Sequence, residues 1–136
     1  YSDKLIKSGI VEKLDGIEVF KKYQQSIERY GFWHRNIDDV GDTQYNLLLL
    51  IEVMNRYSNK QLETLIVNSH PSFILWIEQG ITSEANLSVY EALGKYKLIS
   101  KRNINSEFEY DLYKYFLFKR PRVTLFLFKI DMDKVE

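Results

Sequence analysis

A chain of 136 residues without cysteine can form neither a disulfide framework nor a thiolate metal site, and it is long enough to bury a core without them. A hydrophobic content of 45%, with ten Tyr, eight Phe and two Trp, predicts a folded globular protein and excludes a disordered one. The net charge is zero, but residues 91–130 carry nine basic against four acidic side chains, so any basic surface is local.

No apolar run is longer than that of Leu47 to Ile51, which is far shorter than the ~18–20 residues that a membrane span needs. The sequence also shows no basic segment followed by an apolar run and a cleavage site, as a secretory signal would. Together with the absence of cysteine, these features favour a cytoplasmic protein that does not contact a membrane.

The first forty residues predict two helices and a loop. Residues 2–14 have the composition of a short helix, and apolar residues then recur at steps of three and four between Ile17 and Tyr30. Gly31 follows in the position of a C-terminal cap, so this second helix is expected to end there. Residues 32–42 have the composition of a loop.

The sequence Tyr45 to Met54 predicts the central core helix. Its leucines and Ile51 would point all the way round a helical turn, so a helix here must be buried on most sides. A buried strand is the alternative, but the leucine content and the flanking Thr43 and Asn55 favour a helix.

Three further helices are expected before residue 95. Ser58 can cap a helix over 59–68, and Pro71 suits the first position of a helix over 71–79 that ends at Gly80. Thr82 or Ser83 can cap another over 84–93.

Beyond Lys97 the period of the pattern changes from helical to alternating. Leu98 and Ile99 suit a short strand, and the segments 108–118 and 123–130 suit the two strands of an antiparallel hairpin around a turn at 119–122. The predicted fold is therefore α+β: about five helices around a central buried helix, packed on a C-terminal antiparallel β-hairpin or small sheet. All of it forms one domain, 1–136, with a helical part at 1–95 and the hairpin at 97–131.

The hairpin is apolar on both alternating faces, so each face needs cover. We therefore expect a small non-enzymatic binding protein of a regulatory, inhibitor or immunity type, whose partner is another protein or a second copy that forms a homodimer. The predicted protein interface consists of aromatic residues of the first hairpin strand: Tyr110, Tyr113, Tyr115, Phe116 and Phe118.

An alternative function is DNA binding. Helices followed by a hairpin with a basic tip, and the sequence from Leu87 to Arg102, resemble a winged helix-turn-helix domain. That resemblance implies a DNA-binding regulator in which the helix and the first wing strand meet the duplex. The implied nucleic-acid-binding residues are Ser88, Glu91, Lys95, Lys97, Lys101, Arg102, Lys119, Arg120 and Arg122.

Motifs for catalysis are sparse. Arg29 and His34 resemble the Arg and His pair of HEPN ribonucleases, which implies an RNA-cleaving site as a third hypothesis. The carboxylates Asp38, Asp39 and Asp42 fit helix capping better than a metal site, so no metal is expected. The chain has no phosphate-binding glycine loop, and no cofactor is predicted.

Overall fold

The computed structural model describes residues 2–9, 11–79, 86–103 and 123–134. The chain divides into two compact units, Tyr1–Gly41 and Asp42–Glu136, and each has its own secondary structure. The expectation that the whole chain acts as one domain stays a prediction.

The first unit contains short elements. These are helix α1 (Ser2–Lys7), strand β1 (Gly16–Ile17), helix α2 (Gln24–Glu28) and strand β2 (Trp33–His34), with 3₁₀ turns at Lys21–Tyr23 and Ile37–Asp39. Strands β1 and β2 pair in parallel, Gly16 with Trp33 and Ile17 with His34. The predicted helix over 17–30 is therefore wrong: its start is a strand, and only its later part is helical.

Gly31 has a different role from the predicted helix cap. The backbone N–H of Leu14 donates to the carbonyl of Tyr30 at 3.0 Å, and the N–H of Gly16 donates to that of Phe32 at 3.0 Å. A Cβ on Gly31 would lie 2.2 Å from the Leu14 carbonyl oxygen, closer than real Cβ contacts come. Glycine is required here because two backbone segments run against each other.

The second unit is built on a four-stranded mixed sheet. Its strands are β3 (Leu47–Ile51), β4 (Phe73–Gln79), β5 (Tyr96–Asn103) and β6 (Val123–Ile130), in the order β3-β4-β6-β5. Strand β3 runs parallel to β4, while β6 is antiparallel to both β4 and β5. The last strand is thus inserted between its two predecessors, and β3, β4 and β5 all point the same way.

The predicted central helix at 45–54 is in fact strand β3. The run of leucines is equally compatible with a strand that is apolar on both faces, which is typical of parallel pairing. Each residue from Leu47 to Ile51 pairs with one from Phe73 to Ile77, so the sheet supplies the backbone partners. Five residues is also a common length for a strand, whereas it is short for a helix.

The predicted helix over 71–79 is also a strand. Pro71 and Gly80 suit the two ends of a helix, but burial between them alternates at period two, with Ile74, Trp76 and Glu78 buried and their neighbours less so. Its β-branched and aromatic side chains favour a strand as well.

Helix α3 (Asn59–Ser69) connects β3 to β4 and confirms the prediction of a helix capped by Ser58. The Ser58 hydroxyl accepts from the Gln61 N–H at 3.1 Å, while the Gln61 side chain accepts from the Ser58 N–H at 3.0 Å. Leu62, Leu65 and Ile66 form its buried stripe. The helix contacts the 3₁₀ turn at Glu91–Lys95, which precedes β5.

The strand predicted at 123–130 is confirmed as β6, but it pairs with β4 and β5. The predicted partner strand at 108–118 and the turn at 119–122 lie outside the described residues. The α+β prediction of about five helices packed on a hairpin is wrong. In the described parts of the chain there are three α-helices, only α3 exceeds six residues, and a mixed sheet forms the centre of the second unit.

Across these same segments, no helix has both the length and the apolar composition to span a bilayer.

Candidate functional site

The carboxyl ends of β3 and β4 lie at the same edge of the sheet because the two strands are parallel. In open α/β sheets, ligands bind in the crevice outside this edge, where loops leave the strands. The residues of interest are therefore those that follow Ile51 and those that end β4. We call the group Glu52, Val53, Met54, Glu78 and Gln79 the carboxyl-end cluster.

Strand β3 ends in a turn with an unusual backbone. Glu52 donates its N–H to the Ile77 carbonyl at 2.8 Å, which extends the pairing by one residue. It then adopts φ +51°, a left-handed conformation that is rare for a residue other than glycine. The surrounding structure must hold such a residue in place, and strained backbone of this kind is concentrated at functional sites.

Glu78 holds this turn from inside the sheet. Its side chain is buried, at 3% exposure, and Oε1 accepts from the N–H of Val53 at 2.8 Å and of Met54 at 3.0 Å. The same oxygen accepts from the indole N–H of Trp76 at 3.0 Å. A carboxylate only accepts hydrogen bonds when ionised, and three N–H donors supply the compensation that a buried charge needs.

Gln79 reaches the same turn from the opposite face of β4, since successive strand residues point to opposite sides. Its amide Nε2 donates to the Glu52 carboxylate, and both side chains are exposed. Two consecutive residues of β4 thus form hydrogen bonds with the turn after β3, one from each face of the sheet. The Glu52 carboxylate is left at the solvent-facing edge.

Tyr90 completes the buried side of this region. Its ring lies 5.3 Å from that of Trp76, and its hydroxyl donates to Asn59 Oδ1 at 3.0 Å. Burial raises the pKa of the Tyr90 hydroxyl above its ordinary value, and the negative charges of Glu78 and Glu63 raise it further. Tyr90 is therefore a neutral hydrogen-bond donor near Glu78.

The cluster is rich in hydrogen-bond acceptors. The exposed Glu52 carboxylate can accept from amino or hydroxyl groups of a ligand and can stabilise a positive charge. Glu78 is already occupied by three donors and shapes the backbone. The arrangement can bind and orient a donor-rich or cationic ligand at the strand ends.

The residues predicted as weak catalytic candidates belong to the first unit. Arg29 is exposed at the end of α2, and His34 lies in β2, where its ring is 4.7 Å from that of Phe32. His34 Nε2 is buried without a hydrogen-bond partner. The catalytic role of Arg29 and His34 stays a prediction.

The carboxylates considered for a metal are used locally. Asp39 accepts from the Asn36 N–H at 3.1 Å in a capping box, and Asp42 pairs with His70 Nε2. Over the residues for which coordinates are described, no three His, Asp or Glu side chains converge as a metal site would require.

The predicted nucleic-acid-binding residues fall into two groups. Ser88, Glu91 and Lys95 are exposed in the segment before β5, and Lys97, Lys101 and Arg102 are exposed on β5 itself. The segment expected to form a recognition helix ends in a 3₁₀ turn and continues as a strand. The remaining predicted residues, Lys119, Arg120 and Arg122, lie outside the described residues.

The predicted protein interface belongs to the segment 104–122. Tyr110, Tyr113, Tyr115, Phe116 and Phe118 all lie outside the described residues, so their role stays a prediction. The same holds for a partner protein or a second copy.

Sequence reasoning missed the carboxyl-end cluster altogether. The signal was a polar residue after each of two apolar runs, Glu52 after Leu47–Ile51 and Glu78 after Phe73–Ile77. This signal indicates a site only when both runs are recognised as parallel strands joined by a helix, since both polar residues then lie at the same edge of the sheet.

No protein family matches the sequence, and no curated protein is similar to it. Among solved structures, the fold is similar to that of the 16S rRNA methylase RmtB, with a TM-score of 0.62 and 6% identity over 96% of this chain. This chain spans about half of that protein, 52% of its length.

A second similar structure is a putative type 11 methyltransferase from Sulfolobus solfataricus. It gives a TM-score of 0.59 at 7% identity, and the match covers 99% of this chain and 82% of that one. Both neighbours are named as methyl-transferring enzymes, and at these identities the likeness is one of fold.

These findings correct the functional predictions. The fold neighbours are methyltransferases, so the hypothesis of a non-enzymatic regulatory, inhibitor or immunity-type binding protein is wrong. The winged-helix, DNA-binding alternative is wrong as well, since the sheet and its few helices do not form that domain. The ribonuclease hypothesis is wrong too, because the fold is not the all-helical one that it requires.

Proposed function

We propose that this chain forms part of a methyltransferase and contributes the carboxyl-end cluster to its binding site. The observation that supports the proposal most is the agreement of fold with two methyltransferases over 96% and 99% of the chain. In this chain the strand order is β3-β4-β6-β5, and the final strand is inserted antiparallel to both of its neighbours.

The chemistry of the cluster fits a methyl donor of the sulfonium type. Such a donor, for which S-adenosylmethionine is the general biological example, supplies an electrophilic methyl group when bound and carries amino and hydroxyl groups. The exposed Glu52 carboxylate is a suitable acceptor for those groups and a favourable neighbour for positive charge. Glu52 would bind the donor, and Gln79 would orient the Glu52 carboxylate.

The proposal is tested by incubating the purified chain with S-adenosylmethionine labelled in the methyl group. Separate RNA, protein and small-molecule fractions of a cell extract serve as acceptors, and formation of S-adenosylhomocysteine is the readout. Labelled product in one fraction, reduced by Glu52→Gln, is the expected result.

A matched control is Glu63→Gln, which neutralises a carboxylate of α3 that is not a member of the carboxyl-end cluster. Glu63 accepts from the Glu91 N–H at 2.8 Å, so this variant also perturbs a side-chain-to-backbone contact. Equal product from Glu52→Gln and wild type would exclude Glu52 from the site. Absence of both product and donor binding in wild type would exclude the proposed function.

A further inference from the structure

Glu78 stands out as a buried carboxylate that could have been an apolar residue. It lies on the same face of β4 as Ile74 and Trp76, both completely buried. Removing a charge from water is unfavourable, and a well-packed apolar side chain serves stability as well or better. The carboxylate at this position is therefore better explained by what it holds in place.

Its three donors come from two elements that meet at the carboxyl ends. Val53 and Met54 belong to the turn after β3, and Trp76 belongs to β4. All three donate to the same oxygen, Oε1, so the turn and the indole are fixed relative to one another by a single atom. Hydrogen bonds to an ionised acceptor are stronger than those between neutral groups.

We propose that Glu78 is the positioning residue of the carboxyl-end cluster: its carboxylate holds the Glu52–Met54 backbone so that Glu52 meets the ligand in one orientation. This inference rests on the proposed function, because it assigns Glu78 a role at the same site. Glu78 itself does not contact the ligand and acts through Glu52.

The backbone of the turn explains why such a residue is needed. Glu52 at φ +51° is in a conformation that it would leave without restraint, and the next two N–H groups are the ones that Glu78 binds. Release of those N–H groups would let Glu52 return to an extended conformation, and its carboxylate would turn away from the Gln79 amide. Positioning within a fraction of an ångström is what a binding site requires of its supporting groups.

The test compares wild type with Glu78→Gln, Glu52→Gln and the control Glu63→Gln. Glutamine keeps the size of the side chain and an acceptor oxygen but removes the charge. Two quantities are measured on each folded protein: the Kd of S-adenosylhomocysteine by calorimetry, and amide hydrogen exchange at Val53 and Met54 by NMR.

Glu78→Gln is expected to weaken binding by about tenfold and to speed exchange at Val53 and Met54. Glu63→Gln is expected to speed exchange at Glu91 alone and to leave the Kd unchanged. A merely structural carboxylate would lower the thermal midpoint in Glu78→Gln without changing the Kd of the folded protein.

Two results overturn the inference, and they differ. If Glu52→Gln weakens binding but Glu78→Gln binds as wild type does, Glu78 is not a positioning residue, while the proposed function stands. If wild type binds no S-adenosylhomocysteine at millimolar concentration, the proposed function fails, and Glu78 is then a structural carboxylate only.

Discussion

The two ends of the β3–β4 pair contain similar residues, which differ in their exposure to solvent. At the amino end, His70 ends α3 with φ +42°, and its ring pairs with the Asp42 carboxylate. At the carboxyl end, Glu52 has φ +51°, and the Glu78 carboxylate binds the turn that follows. Each end therefore has one left-handed residue and one carboxylate with a partner.

The difference lies in burial. The side chains of His70 and Asp42 are 54% and 82% exposed, whereas Glu78 is 3% exposed. Water competes for the exposed pair and screens its charges, so the pair contributes little free energy. At the buried end, a lost partner leaves N–H groups without an acceptor. Of the two ends, only the carboxyl end therefore uses its carboxylate to define the shape of the backbone.

Removing each carboxylate is the largest test of this comparison. Glu78→Ala is expected to lower the free energy of unfolding by about 3 kcal/mol, because it leaves buried donors unpaired and opens a cavity. Asp42→Ala is expected to lower it by about 0.5 kcal/mol or less. Urea denaturation followed by circular dichroism measures both, and equal losses would show that the two ends do not differ as described.

Replacing each left-handed residue with glycine is a smaller test. Glycine adopts a positive φ without strain, and this relief is larger than the additional entropy that glycine loses on folding. Glu52→Gly and His70→Gly are therefore each expected to stabilise the folded protein by about 0.5–1 kcal/mol. The same denaturation experiment measures the change.

The two glycine variants are expected to differ in ligand binding. Glu52→Gly should weaken the binding of S-adenosylhomocysteine while stability rises, which is the usual relation between strain and function. His70→Gly should leave binding unchanged and serves as the control. A loss of stability in both variants would mean that their side-chain contacts outweigh the backbone strain.

Part of this structure was predictable from local sequence signals. Helix α3 is predicted because Ser58 can cap a segment in which Leu62, Leu65 and Ile66 face inward, and the structure adds Gln61 as the second member of a capping box. Strand β6 is predicted because residues 123–130 are rich in β-branched and aromatic side chains. Both elements carry signals that a single segment contains in itself.

The parallel strands β3 and β4 could not be assigned in the same way. The residues Leu47–Ile51 are apolar in every direction, so periodicity does not distinguish a buried strand from a buried helix. The distinction comes from pairing with Phe73–Ile77, more than twenty residues away in sequence. Because both segments were assigned as helices, the site at their shared edge was lost with them.

The smallest expected effect is spectroscopic and concerns one tyrosine near each end. Tyr90 lies near Glu78, while Tyr96 donates its hydroxyl to the Pro71 carbonyl at 2.7 Å, at the start of β4. Burial raises the pKa of both hydroxyls, but the charges of Glu78 and Glu63 contribute only at Tyr90. Both pKa values are thus higher in the folded than in the unfolded chain.

Because both tyrosine pKa values are raised in the folded chain, stability decreases as the pH rises. Below the ordinary tyrosine pKa of about 10, both states are protonated and stability does not depend on these groups. As the pH rises above the ordinary tyrosine pKa, these hydroxyls ionise first in the unfolded chain. The free energy of unfolding is therefore expected to fall until the pH exceeds their pKa in the folded protein. Tyr90→Phe and Tyr96→Phe should each reduce that fall, and a fall that neither variant reduces would contradict the assignment.

Glu78→Gln separates the two tyrosines. Loss of the negative charge is expected to lower the pKa of Tyr90 and to leave that of Tyr96 unchanged, because no carboxylate contributes to the shift at Tyr96. An alkaline titration of isotope-labelled tyrosine followed by NMR resolves the two hydroxyls. Equal shifts at both residues would mean that Glu78→Gln loosens the whole sheet, and that the carboxylate does not act at the carboxyl end alone.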